Sequence, residues 1–214
     1  SGRSWAMAWS LVAACSSASA IRAGLRAAPS VMAAPNRGLP RAVVFDLDGC
    51  LWEPDMYMLW GGGAPFRLSE RGDLIDCRGQ AVRMLGAVPE ILHELKTDSR
   101  WAGTVVAVAS CTDEPAWADE CMRKFQIGSG YCIKDVMQVL QITKGNKQGH
   151  LRRIAEQTGI PLEQMLFLDN ERWNCDQVSA IGVSVAYAPD GVTARVWERA
   201  LAAFPCPGRI IDPG

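Results

Sequence analysis

The sequence predicts an α/β protein, a three-layer, Rossmann-like sandwich around a central, mostly parallel sheet. Three observations predict it. Strand-length runs, apolar throughout except for Ser184, recur at 42–45, 105–109, 165–168 and 183–186. Runs without polar alternation are expected of strands buried on both faces, as in a parallel sheet. Patterns of helical period lie between them. Polar groups follow abruptly after three of the runs, at the strand ends where open α/β sheets bind ligands.

The chain has 214 residues, a length that suits one domain of ordinary size. Residues 1–39 stand apart from the rest. They are rich in Ala and Ser, carry Arg3, Arg22, Arg26 and Arg37, and contain no acidic residue. That is the composition of an organelle transit peptide. The stretch "WSLVAACSSASA" also reads as a signal-like apolar region ending in the small-x-small site Ala18-Ser19-Ala20. Residues 1–39 are therefore expected to be a transit- or signal-like leader, or a disordered tail. The folded domain is expected at 40–206 and a short tail at 207–214. A transit leader implies a plastid or mitochondrion; otherwise the expectation is cytoplasmic.

Each element has its own reason. The first strand ends in Asp46 and Asp48, and Gly49 lets the chain turn away sharply. Segment 53–80, with "GGGAP" and lone polar residues, reads as a loop or small hairpin, too short for a second domain. Val88, Ile91, Leu92 and Leu95 share one face of a first helix. "SCTDEP" opens the next, with Thr112 or Asp113 as cap and Pro115 in the first turn. Trp117, Cys121 and Phe125 recur along it. A third helix carries Leu151, Ile154 and Ala155 and stops at Thr158-Gly159. A fourth covers 174–181, and a last runs through Val196, Trp197, Leu201 and Phe204.

Composition removes several function classes. The formal net charge is −1, so no global field steers the chain to nucleic acid or to an anionic membrane. No apolar stretch reaches the roughly 18 residues of a membrane span, so no stable insertion is expected. The closest, 5–20, is interrupted by Ser10, Ser16, Ser17 and Ser19. Eight cysteines are scattered without a C-x-x-C pair, which gives no zinc or redox motif; they read as mostly reduced thiols. Only two histidines are present, a poor basis for a Ser/His/Asp mechanism. His150 reads as a helix-start residue and His93 as a surface residue. Trp52, Trp117, Trp173 and Trp197 read as core or groove residues, with Trp52 and Trp173 as candidates for the mouth of a pocket.

The strand ends carry the chemistry. The first offers Asp46 and Asp48, the second Ser110, Cys111 and Thr112, the third Asp169, Asn170 and Glu171. Lys147, just ahead of a helix, can reach the same rim, and Lys144 competes for that part. Asp46, Asp48 and Asp169 gathered together would repel, so a shared proton or a divalent cation is expected among them. Oxygen ligands with a phosphate nearby favour Mg²⁺. One carboxylate can then attack phosphorus and the other can move the proton. Ser110 can hold the phosphoryl group and Lys147 can balance its charge.

At these residues the sequence resembles the haloacid dehalogenase (HAD) superfamily of aspartate-nucleophile phosphatases. The matching motifs are "DLDGC", "VAVAS", "KGNKQGH" and "FLDN", in that order. A narrower resemblance is to the magnesium-dependent phosphatase-1 family. It is carried by "LPRAVVFDLDGCLW", "CRGQAVRMLGAVPEIL", "AVASCTDE", "NKQGHLRRIAEQTGIPLEQMLFLDNERWN" and "IGVSVAY", which together cover most of 39–187. The resemblance implies a HAD-like fold without a large cap domain. It implies Asp46 as nucleophile and metal ligand. Asp48 is implied as general acid/base, binding metal through its backbone carbonyl. Ser110, with Cys111 beside it, and Lys147 are implied for phosphate, and Asp169, with Asn170 beside it, for Mg²⁺. The implied activity is that of an acid phosphatase or protein-tyrosine phosphatase, acting on a phosphorylated small molecule or a phosphoprotein through an aspartyl-phosphate.

The chain departs from the family pattern at three places. Cys50 stands where the family carries Thr, Asn170 replaces the second acidic residue, and Cys111 follows Ser110 where the family tends to carry Arg. Cys50 and Cys111 also suggest a redox-sensitive pair. Two other readings compete. A catalytically weakened phosphoprotein-binding or scaffold protein would keep the site's shape. A DxD glycosyltransferase would use the carboxylates but leaves Ser110 and Lys147 without a role.

Overall fold

In the computed structural model, which describes residues 38–214, the chain enters through β1 (Ala42–Phe45), four residues all buried. A small antiparallel sheet follows, made of β2 (Trp52–Glu53), β3 (Arg67–Leu68), β4 (Leu74–Ile75) and β5 (Ala81–Met84), in the order β2-β5-β4-β3. Next come α1 (Val88–Thr97), β6 (Val105–Ser110) and α2 (Pro115–Lys124). The hairpin of β7 (Gln126–Gly128) and β8 (Tyr131–Cys132) leads to β9 (Val139–Ile142). The remainder alternates: α3 (Lys147–Thr158), β10 (Met165–Asp169), α4 (Arg172–Ser179), β11 (Ser184–Tyr187), α5 (Ala194–Ala203) and β12 (Ile210–Ile211).

The main sheet has six strands in the order β12-β11-β10-β1-β6-β9, and every pairing in it is parallel. β1 lies in its middle, with Phe45 opposite Leu168 on one side and Val108 on the other. Strand alternation sorts the core into two layers. Val43, Phe45, Val106, Val108, Leu166 and Leu168 face α1, α2 and α5, whose Ile91, Leu92, Met122 and Trp197 complete one apolar cluster. Ala42, Val44, Ala107, Met165 and Phe167 face the other way, onto Leu151 and Ile154 of α3 and Cys175 and Val178 of α4. Among the described residues the chain forms the expected three-layer sandwich, with no large cap.

The structure differs from expectation in its smaller parts. Segment 53–80 contains the β3–β4 hairpin and, with β2 and β5 at its two ends, forms a four-stranded antiparallel sheet. Buried Asp76 pins that sheet by accepting from the backbone N–H groups of Gly63, Arg78 and Gln80. The segment read as a tail, 207–214, contains β12, which pairs Ile210 and Ile211 with Val185 and Ala186. β9 was not legible as an apolar run, because three of its four residues are only partly buried. Neither Thr112 nor Asp113 is the N-cap of α2; Glu114 holds that position, with Pro115 in the first turn as expected. α4 begins at Arg172, two residues before its expected start. Trp173 is 71% exposed and belongs to no core. The leader expected over 1–39 falls almost wholly outside the described residues. The cysteines among the described residues are all free thiols.

Candidate active site

The strand order brings three chain ends together. β6, β1 and β10 are neighbours, so Ser110, Asp46 and Asp169 emerge side by side at strand spacing, about 5 Å. The Asp46 N–H donates to the Leu168 carbonyl (3.0 Å), which carries the β1–β10 ladder to the rim. β1 is also where the order of connections reverses, the position at which such sheets open a crevice.

Past Asp46 the chain turns on Gly49, whose φ of +69° favours glycine. A Cβ there would lie 2.3 Å from the Asn170 amide nitrogen, so the turn seats itself against the β10 loop. The Cys50 thiol is fully buried behind it and donates to the Leu168 carbonyl (3.5 Å). The Trp52 indole N–H donates to Asp48 Oδ1 (2.8 Å) and orients that carboxyl. Trp52 is therefore buried under the site and not at its mouth.

Lys147 is the first residue of α3. Asn146 caps that helix, its Oδ1 accepting from Gly149 N–H (2.7 Å), and this aims the Lys147 stem inward. The ammonium lies 2.5 Å from Asp46 Oδ1 and 3.4 Å from Asp169 Oδ2, and donates to the Ala109 carbonyl (2.7 Å). Burial favours the neutral amine, but the Asp46 and Asp169 charges outweigh it and hold the Lys147 pKa above its usual value. Lys144, the competing candidate, sits on the surface in an ion pair with Asp113 (2.7 Å).

Asp169 is fully buried beneath the floor. It accepts from the Glu171 N–H (2.7 Å) and from the Asn174 amide (3.1 Å). Burial, then the charge of Asp46, push its carboxyl upward in spite of Lys147 and these donors. Burial is also the largest influence on Asp48. With help from Asp46 and Asp55 it outweighs the hydrogen bonds from Trp52 and Thr112 and raises Asp48 to about 6.

These groups border one open crevice of about 310 Å³. Asp46, Asp48, Ser110, Cys111, Lys147 and Asn170 line it, and so do Asp55, Tyr57, Thr112, Gly145, Glu171 and Asn174. Sequence reasoning missed Asp55 and Tyr57, which come from the antiparallel insert, and Asn174, one turn into α4. Only the nearness of the insert to "DLDGC" could have pointed to the first two. Cys50 and Cys111 do not make an accessible redox pair. Cys50 is buried, and burial is the first cause holding both thiols above their usual pKa, away from the reactive thiolate.

The donor set fits Mg²⁺. Among the described residues no three His, Cys, Asp or Glu side chains form a cage by themselves. Mg²⁺ sites, however, use one or two carboxylates and leave the remaining positions to neutral oxygens. Asn170 Oδ1 is buried at the edge of this crevice without any hydrogen-bond partner. A cation ligand or its water satisfies such an orphaned acceptor.

Comparisons with known proteins bear on the family and the fold. The model of the "Acid Phosphatase" family matches residues 38–206. Human "Magnesium-dependent phosphatase 1" is 32% identical over 166 residues, which cover 78% of this chain and 88% of that protein. A HAD-like hydrolase superfamily protein of Schizosaccharomyces pombe is 29% identical over 154 residues, 70% of this chain and 86% of the other. Among solved structures, the phosphatase-containing N-terminal part of a Bacteroides fragilis protein, complexed with Mg, shares the fold at a TM-score of 0.50 and 19% identity. That match covers 72% of this chain and 37% of the other.

Proposed function

The chain belongs to the acid phosphatase family, and from that premise we propose that it is a Mg²⁺-dependent phosphomonoester hydrolase working through an aspartyl-phosphate on Asp46. One observation carries the reading: a buried lysine paired with Asp46 at the bottom of a crevice that also presents Asp48 and Ser110.

Asp46 attacks the phosphorus of a bound monoester, forming an acyl-phosphate bond as the bond to the leaving oxygen breaks. Asp48, raised to about 6, carries a proton in mildly acidic solution and donates it to the leaving oxygen. Asp48 then accepts a proton from the water that attacks the phosphoenzyme, releasing inorganic phosphate and restoring Asp46. Ser110 and the backbone N–H of the loop after it bind the phosphoryl oxygens. Lys147 balances the charge that builds there, relinquishing part of its contact with Asp46. Asp46, Asp169, the Asp48 carbonyl and Asn170 would hold Mg²⁺. When bound, the ion cancels the repulsion between carboxylate and phosphate. The mouth is open and bears the exposed ring of Tyr57, so it admits a phosphorylated side chain, phosphotyrosine included, as well as a small ester.

The test is Asp46→Asn assayed on p-nitrophenyl phosphate with and without Mg²⁺. A loss of at least about 10³-fold is expected. In the unaltered protein, hydroxylamine should trap the acyl-phosphate as a hydroxamate at Asp46. Retained turnover in Asp46→Asn would defeat the reading.

A further inference from the structure

One buried titratable side chain beside the crevice has no duty in that mechanism. His150 lies on α3 one turn after Lys147 and has no exposed surface. Its Nε2 is 3.2 Å from Thr143 Oγ1 and its Nδ1 is 4.0 Å from Cys111 Sγ. These partners sit on different loops. Cys111 follows β6, Thr143 follows β9, and both loops reach the crevice, through Cys111 and Gly145. The Cys111 thiol is also 3.4 Å from the Gly145 carbonyl, and a Cβ on Gly145 would stand 3.8 Å from His150 Nε2. Thr143 N–H donates to the Ser110 carbonyl (3.2 Å), so the position of Thr143 is also the position of Ser110.

One self-consistent direction of donation runs from Arg153 to Gly145. Arg153 has only protons to give, and its guanidinium is 3.5 Å from Thr143 Oγ1, which therefore accepts there. The Thr143 proton is then free for His150 Nε2. The Gly145 carbonyl can only accept, so the Cys111 proton goes to it. That leaves Nδ1 to carry the ring proton and to give it to the Cys111 sulfur. We infer that His150 is a neutral, Nδ1-protonated positioning residue. It links Arg153, Thr143, Cys111 and Gly145 in one donor chain and so sets the two loops that grip the phosphoryl group. Burial, then the charges of Lys147 and Arg153, hold the imidazole below its usual pKa, in keeping with the neutral ring. The inference rests on the phosphatase reading for what the loops grip.

The test has two parts. Nitrogen-15 correlation spectra of the imidazole should show the proton on Nδ1; a ring protonated on Nε2 overturns the inference. In His150→Ala, KM for p-nitrophenyl phosphate and the inhibition constant of inorganic phosphate should rise together by about tenfold, with kcat changed less than about threefold. Thr143→Val, which removes the hydroxyl without emptying the core, should give the same split. His150→Gln, which keeps an acceptor near the Nε2 position, should recover most of the loss. Both constants within about twofold of the unaltered protein in Thr143→Val would overturn the inference, even if His150→Ala fails to fold. The spectra and direct phosphate titration need no turnover. The phosphatase reading fails separately, if the unaltered protein hydrolyses no monoester.

Discussion

The ammonium of Lys147 lies 2.5 Å from a carboxylate oxygen of Asp46, and both side chains are almost closed off from solvent. A buried pair of this kind is a weak source of stability while intact, yet its rupture leaves a charge with no partner. Lys147→Ala would leave Asp46 and Asp169 facing each other without a cation. The expected loss is about 3–5 kcal/mol of folding stability, together with at least about 100-fold in kcat/KM. Denaturant titration with and without Mg²⁺ checks it: the ion should narrow the stability gap without restoring turnover.

In the proposed mechanism Asp48 sets the acid side of the reaction. Its pKa of about 6 lies above the ordinary 3.8, so the folded state binds this proton more tightly than the unfolded one. The stability it contributes is fully present below about 4 and is lost as pH rises through about 6. Activity follows the same proton. With an alkyl phosphate, whose leaving oxygen needs protonation, kcat should fall above about pH 6. With p-nitrophenyl phosphate the fall should be shallower. Trp52→Phe removes the indole donor at 2.8 Å and should move the limb to higher pH. A limb that stays in place in that variant contradicts the assignment.

Asn170 and Gly49 form one contact and can be tested together. Gly49→Ala places a methyl group where only 2.3 Å separates it from the Asn170 amide nitrogen. The left-handed backbone alone makes this unfavourable by about 1–2 kcal/mol, and the displaced Asn170 should weaken Mg²⁺ activation. Asn170→Ala should raise the half-saturating Mg²⁺ concentration by about tenfold with a small change in stability. Asn170→Asp should lower it. Mg²⁺ titrations of initial rate read all three.

Cys50 is the departure from the family pattern that the structure most clarifies. Its thiol already donates to the Leu168 carbonyl, which is what a hydroxyl in that place can do. Cys50→Thr should therefore change stability by less than about 1.5 kcal/mol and leave kcat/KM within a few-fold. Mild peroxide should leave the rate of the unaltered protein unchanged over minutes, because the buried neutral thiol is a poor nucleophile.

The site was more legible in the sequence than the sheet. Asp46, Asp48, Ser110, Lys147 and Asn170 line one crevice and Asp169 lies under it, because each directly follows a conspicuous apolar run or opens a helix with a clear stop at Gly159. β1 and β10 were legible because every residue in them is buried. β3 was not, since Arg67 and Leu68 are both exposed, and β12 was hidden by having two half-buried residues near the end of the chain. Such strands are held by pairing partners far away in sequence, which leave no local periodicity to read. The orphaned oxygen of Asn170 and the buried contacts of His150 are tertiary facts of the same kind.

The place of β1 between β6 and β10 has a consequence for the order of events in synthesis. The strand bearing Asp46 leaves the ribosome early, but one of its neighbours ends at Ser110 and the other at Asp169. The crevice cannot be complete on a growing chain until Asp169 has emerged, and helix α3 must be docked before Lys147 meets Asp46. The pairing of β10 with β1 therefore completes the crevice, whereas β11 and β12, which follow it in the chain, extend the sheet without adding to the site.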